Sequence, residues 1–230
     1  IVYILCDDLG YGDIQVLNPE HGKIKTPAVD KLALEGMIFT DAHSGSAVCT
    51  PTRYGLMTGR YSWRTTLQSG VVSGFDTNLI AENRATVASF LKAQGYHTGI
   101  VGKWHLNFQY TDADTGELIK RKGKSLAPVG SKIPDGPIVR GFDYYHGFHH
   151  AGSMKGVIEN DTVIAHEEVI NMLPRITRKS VEYIEARAAE KEKPFLTYLA
   201  QCSNGIFTSS SNVNFFFSSN NHITIWKNRL

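Results

Sequence analysis

The 230-residue chain carries 24 Lys and Arg against 22 Asp and Glu, a formal net charge of +2, which offers no basic surface of the kind nucleic acid needs. Hydrophobic residues make up 42% and charged residues 20%, ordinary values for a globular chain of one sizeable domain or most of one. No apolar run reaches the ~20 residues of a membrane helix. The three cysteines, Cys6, Cys49 and Cys202, are too few and too scattered for a disulfide framework or a zinc site.

The chain opens on Ile1-Val2-Tyr3-Ile4-Leu5-Cys6, a continuous β-rich apolar run of the kind a strand buried on both faces shows in a parallel sheet. Its position at the very start is the expected look of a mature or clipped product, with any signal peptide outside the chain. The run ends at Asp7-Asp8, where adjacent carboxylates repel unless a cation or hydrogen bonds compensate, and oxygen ligands of this type suit Ca²⁺ or Mg²⁺. A solvated acidic turn is the plain alternative. Thr26-Pro27 opens and Gly36 closes a first helix, and Met37 to His43 then reads as a second strand. His43 is as well read as a loop histidine as a base.

Next comes Cys49-Thr50-Pro51-Thr52-Arg53, running on to Thr58-Gly59-Arg60. Pro51 suits the first turn of a helix and Gly59 its end, which puts Cys49 at the helix N-terminus, where unpaired N–H groups favour a thiolate or an anion. Arg53, one turn on, offers a planar guanidinium fork to a tetrahedral oxyanion. Residues 61–85 read as surface loop. Thr86 caps a helix through Leu91, and Tyr96 to Val101 reads as a third strand, leading into Gly102-Lys103-Trp104-His105. Lys103 and His105 share one face if extended, pairing a cation with an imidazole against an anionic ester. Residues 107–140, with the basic run from Lys120 to Lys124, read as a solvated insertion. His146, His149 and His150 cluster without the spacing of a metal site. Pro174 to Lys191 reads as a helix with Ile176, Val181, Ile184 and Ala188 as its apolar stripe, and Pro194 to Ala200 as a fourth strand.

Several of these stretches resemble the type I sulfatases. The match lies in Asp7-Asp8-Leu9-Gly10-Tyr11-Gly12-Asp13, in the C-x-P-x-R signature at Cys49, Pro51 and Arg53 with Leu56, Thr58, Gly59 and Arg60 in register, in Gly102-Lys103-Trp104-His105, and in Gly141-Phe142-Asp143. The resemblance implies an alkaline-phosphatase-like α/β/α sandwich with a mainly parallel sheet, and hydrolysis of an aryl or carbohydrate sulfate ester. It implies that a formylglycine-generating enzyme oxidises Cys49 to formylglycine, and that Asp7, Asp8 and the modified Cys49 bind Ca²⁺ or Mg²⁺. Arg53 would hold the aldehyde hydrate, Lys103 the sulfate oxygens, and His105 the hydrate. A secretory, lysosomal, extracellular or periplasmic setting is expected. Asn160-Asp161-Thr162 is a glycosylation sequon, meaningful only in a eukaryotic secretory route.

The resemblance covers residues 1–201, the N-terminal part of the catalytic domain. Residues 202–230, rich in Ser, Asn and Phe, read as an atypical tail foreign to the family, with Gly205 where the family places a histidine. The sheet is expected to end on an unpaired edge after residue 200, and the chain to be inactive alone. The alternatives are a non-catalytic sulfatase-like fragment and a metal-dependent phosphatase or phosphodiesterase of the same superfamily.

Overall fold

The computed structural model describes residues 1–7, 9–120, 126–202, 215–218 and 225–226. Asp8, residues 121–124 of the basic run and Gly205 lie outside them.

The elements in chain order are β1 (Val2–Asp7), α1 (Pro27–Glu35), β2 (Met37–Ile38), α2 (Cys49–Thr58), α3 (Val87–Ala93), β3 (His97–Lys103), β4 (Tyr144–Phe148), β5 (Gly156–Glu159), β6 (Thr162–His166), α4 (Val169–Ala189), β7 (Phe195–Cys202), β8 (Phe215–Ser218) and β9 (Ile225–Trp226). Seven strands form one sheet in the order β6-β5-β4-β3-β7-β1-β8. Pairing is parallel from β4 to β8, and antiparallel where β5 and β6 add to β4. The apolar strands carry a core on each face, as doubly covered parallel sheets do. Leu5, Ile100 and Tyr198 pack with Tyr54 and Met57 of α2 and Ala88 of α3. On the other face Ile4, Val101 and Leu199 pack with Leu32 of α1 and with Met172, Ile176 and Ile184 of α4. The chain is thus an α/β/α sandwich.

Several expectations change. The second strand shortens to Met37–Ile38 and pairs antiparallel with β9, apart from the main sheet. Met37 and Phe39 stay exposed, so no buried face draws this segment into the sheet. Residues 61–85 are more than surface, since Asn78 and Ile80 are buried. Residues 107–140 are solvated only in part: Phe108, Tyr110, Ala127 and Ile133 join the core beside α2 and α3, while residues 112–118 are exposed. Helix α4 starts at Val169, with Pro174 inside it. Its buried stripe runs Met172, Ile176, Ser180, Ile184, while Val181 and Ala188 are exposed. Ser180 is tolerated there because its hydroxyl donates to the Ile176 carbonyl at 2.8 Å. No edge follows residue 200, for β7 lies between β3 and β1.

Candidate active site

The carboxyl ends of β1, β7 and β3 lie side by side, with Asp7 paired to Cys202 and Gly102 to Ala200. Such ends are where ligands sit in open α/β sheets. Asp7 and Lys103 come from the two strands that flank β7, and Lys103 Nζ reaches Asp7 Oδ2 at 2.5 Å across it. The approach of β3 to β7 needs Gly102, at φ 115°, because a Cβ there would stand 2.0 Å from the Ala200 carbonyl oxygen.

Helix α2 points its N-terminus at this place. Cys49 is its first residue, preceded by Val48 in extended conformation, and Pro51 falls in the first turn as expected. Cys49 is a free thiol of intermediate exposure. Gly59 closes the helix in the left-handed region at φ 66°, its N–H donating to Gly55 O. One turn after Cys49, Arg53 is 1% exposed. Its guanidinium donates to the Lys103 carbonyl at 2.6 Å and to Tyr198 Oη at 3.4 Å, and lies 3.7 Å from Asp7 Oδ2. Among the described residues, then, Asp7 faces two buried cations, Arg53 and Lys103. The excess positive charge suits an oxyanion in a place where water screens little.

His105 follows β3 with φ 56°, a conformation rare for a side-chain-bearing residue. Its carbonyl accepts from Thr50 Oγ1 at 2.9 Å, which ties it to the residue next to Cys49. Its Nε2 bonds to the Val72 carbonyl at 3.1 Å. Burial first, then the charges of Lys103 and Arg53, push its pKa down to about 3, so the ring is neutral at pH 7. Cys6 is no rival nucleophile: burial, then Asp7, raise its thiol to about 12.

The structure therefore joins Asp7, Arg53 and Lys103 by charge, and His105 to α2 through Thr50. Asp8 lies outside the described residues. His43 is exposed and pairs with Asp41 at 2.8 Å. His149 and His150 are buried beside His105; His150 lies 5.6 Å from it between ring centroids, and His149 stacks on Phe108 at 4.1 Å. Among the described residues no group of three His, Cys, Asp or Glu side chains could hold a metal. A cavity of about 410 Å³, lined by Tyr3, His43, Thr52, Arg60 and Tyr61 among others, runs along the flank of α2 and includes none of the strand-end charges. Sequence reasoning missed Thr50, Tyr198 and the loop around Val72. The pairing of a small hydroxyl residue with the signature cysteine was the one available signal, and only for Thr50.

Comparison with known proteins gives a consistent answer. The family profile described as Sulfatase matches residues 1–217. An N-acetylgalactosamine-6-O-sulfatase of Bacteroides thetaiotaomicron is 45% identical over 106 residues, 46% of this chain and 20% of its own length. Arylsulfatase A of Bos taurus is 43% identical over 149 residues, 65% of this chain and 24% of its own. A solved Bacteroides thetaiotaomicron structure, from work on the metabolism of multiple glycosaminoglycans, superposes with a TM-score of 0.70 at 25% identity, covering 87% of this chain and 50% of that one. The chain thus spans 20–24% of the length of these curated relatives. With an alkaline-phosphatase-like sheet, the signature cysteine at a helix N-terminus and a family match across most of its length, the chain belongs to the sulfatase family, as an N-terminal region of the type I enzymes.

Proposed function

We propose that this chain is the nucleophile-bearing part of a sulfuric ester hydrolase that acts through a formylglycine made from Cys49, with a divalent cation beside it. The observation that carries the reading is the placement of Cys49 at the N-terminus of α2, one turn from a buried Arg53 anchored on the Lys103 carbonyl and facing Asp7. A phosphatase reading has no comparable support, since C-x-P-x-R at this helix start is the feature on which the sulfatase resemblance rests.

The residues fit both groups in part. Cys49 is a half-exposed thiol in a first turn, open to modification. Asp7 is a carboxylate at a strand end, the hard oxygen donor that Ca²⁺ or Mg²⁺ prefers. Asp7, Asp8 and the modified Cys49 would hold the ion, which would supply a Lewis-acid charge at the ester oxygens. The hydrated aldehyde would supply a geminal diol as nucleophile. Around these groups the chain's own residues neutralise and orient. Lys103 and Arg53 would set two positive charges against a sulfate's oxygens, and their burial supports this by leaving those charges little screened. Neutral His105 can accept a hydrogen bond or a proton from a hydroxyl.

The substrate reading is an aryl or carbohydrate sulfate ester, with the N-acetylgalactosamine-6-O-sulfatase relative favouring a sugar. The formylglycine-generating enzyme is the partner in maturation, on a secretory or periplasmic route. The test is to co-express the chain with that enzyme and weigh the Cys49 peptide. Conversion of thiol to aldehyde makes it lighter by ~18 Da. A Cys49 that remains a thiol under conditions that convert an arylsulfatase control would overturn the reading.

A further inference from the structure

One buried residue of the signature helix has no part in the reading above. Thr50 is fully buried beside Cys49, and its single hydroxyl makes two bonds. Oγ1 donates to the His105 carbonyl at 2.9 Å and accepts from the Val72 N–H at 3.3 Å. The Val72 carbonyl then accepts from His105 Nε2 at 3.1 Å. The three contacts close a ring through α2, the loop after it and the segment after β3. A second tie holds the same loop, where Asn107 Oδ1 accepts from the Gly74 N–H at 2.8 Å. His105 and Asn107 both have positive φ, at 56° and 62°, so this segment is held against its local preference.

The ring fixes a proton. A carbonyl cannot donate, so in the bond to Val72 the hydrogen is on Nε2 of His105. The lone pair of the neutral ring is then on Nδ1. That atom is buried and has no hydrogen-bond partner among the described residues. A buried acceptor with no donor, on a ring anchored through its other nitrogen, is built to receive one.

We propose that Thr50 is a positioning residue. With the Val72 main chain it holds His105 as the Nε2–H tautomer, so that Nδ1 is the acceptor offered to a hydroxyl donor at the nucleophile. The proposal rests on the sulfatase reading for the identity of that donor, but not for the tautomer itself. A hydroxyl that donates and accepts at once is required, so serine should substitute and isosteric valine should not.

The test is long-range ¹H–¹⁵N correlation of the imidazole rings in the ¹⁵N-labelled chain at pH 7, with His105→Asn used to assign the resonances. The wild type should show His105 as a single neutral Nε2–H tautomer. Thr50→Ser should keep that pattern, and Thr50→Val should lose it to a mixture with the Nδ1–H form. The signals of His146, buried on β4 and facing Glu159 away from His105, should stay unmoved and so show that the Thr50→Val chain is still folded. A wild-type Nδ1–H ring overturns the proposal without any variant, and so does a pure Nε2–H pattern in a folded Thr50→Val chain. The measurement is made with the Cys49 thiol in place. A wrong tautomer therefore defeats only the role of Thr50, whereas an unconverted Cys49 defeats only the sulfatase reading.

Discussion

On one side of the site Asp7, Arg53 and Lys103 are joined by charge. On the other, Thr50, Val72, Gly74, His105 and Asn107 are joined by bonds in which a main-chain N–H or carbonyl takes part. The two sides fail differently. A buried ionic cluster is sensitive to the removal of one member, because the remaining charge is stranded. The hydrogen-bonded side leaves no charge uncompensated when a member is lost, but it depends on the Thr50 hydroxyl and on the path of the backbone. The first side sets what the site attracts, and the second sets how the imidazole is aimed.

The largest effect should come from breaking the ionic side. Lys103→Met removes the cation 2.5 Å from Asp7 and leaves Arg53, at 3.7 Å, as its remaining described cationic partner. Because Asp7 keeps Arg53, the cost falls at the low end of what breaking a buried ion pair brings, about 3 kcal/mol. Urea unfolding should show the loss, and a second change, Asp7→Asn, should restore much of it by removing the charge that Lys103 no longer balances. If the double variant is no more stable than Lys103→Met alone, the two residues are not coupled and the ionic side is misread.

That contrast also explains what could be seen in the sequence. Asp7, Arg53, Lys103 and His105 stood out because ionisable residues at strand ends and in a helix first turn are visible as residue types. Strands β1 and β7 stood out because strands buried on both faces are near-continuous apolar runs. Thr50 did not, since its role lies in bonds to the His105 carbonyl and the Val72 N–H. The loop at Val72 and the residues Phe108, Tyr110, Ala127 and Ile133 did not either, because neither stretch has the periodicity of a helix or strand, yet these four are core. The stripe of α4 differs from the hydrophobicity pattern at Val181 and Ala188, both exposed. A hydrophobicity pattern selects Val181, while the fold buries Ser180 and satisfies its hydroxyl within the helix. Met37 to His43 has strand composition, but among the described residues it is Met37–Ile38 that pairs as a strand.

The main-chain side can be broken through Gly74. Its φ is 90°, and a Cβ would stand 2.9 Å from His150 Nε2 and 3.0 Å from His149 Cε1. For Gly74→Ala the left-handed conformation costs roughly 1–2 kcal/mol. Crowding against two buried rings brings the total to about 2–3 kcal/mol. Thermal unfolding should show this destabilisation. A neutral result would mean that the loop is free to move off the histidines and does not aim His105.

A smaller effect separates the two sides by pH. The folded pKa of His105 is depressed to about 3, so the unfolded chain binds the proton first as pH falls. The stability linked to this ring is therefore complete above its unfolded pKa, about 6.5, and is lost as pH falls from there toward about 3. Between pH 7 and pH 5 the loss should be about 2 kcal/mol. His105→Asn should be flatter than the wild type by that amount in urea midpoints taken at the two pH values. His146, also depressed to about 4 by burial, remains in both chains and cancels in the comparison. Parallel pH profiles would place His105 in contact with solvent and remove the argument for a buried acceptor.

The smallest effect sharpens the boundary between the sides. Tyr198 lies on β7 beneath Arg53, and its hydroxyl accepts from the guanidinium at 3.4 Å, a long bond beside the 2.6 Å bond to the Lys103 carbonyl. Its ring packs in the core against Tyr3, with centroids 5.7 Å apart, so Tyr198→Phe keeps the packing and removes only the oxygen. A bond to a charged donor is worth about 1.5–3 kcal/mol at good geometry, and at this length about 1 kcal/mol is expected. The loss should be read in the double variant with Lys103→Met. If Tyr198 acts through Arg53, its contribution should grow once Lys103 is gone, because Arg53 then balances more of the charge of Asp7 and its orientation matters more. Strict additivity of the two changes would mean that the Lys103 carbonyl alone fixes the guanidinium, and that Tyr198 belongs to the core rather than to the site.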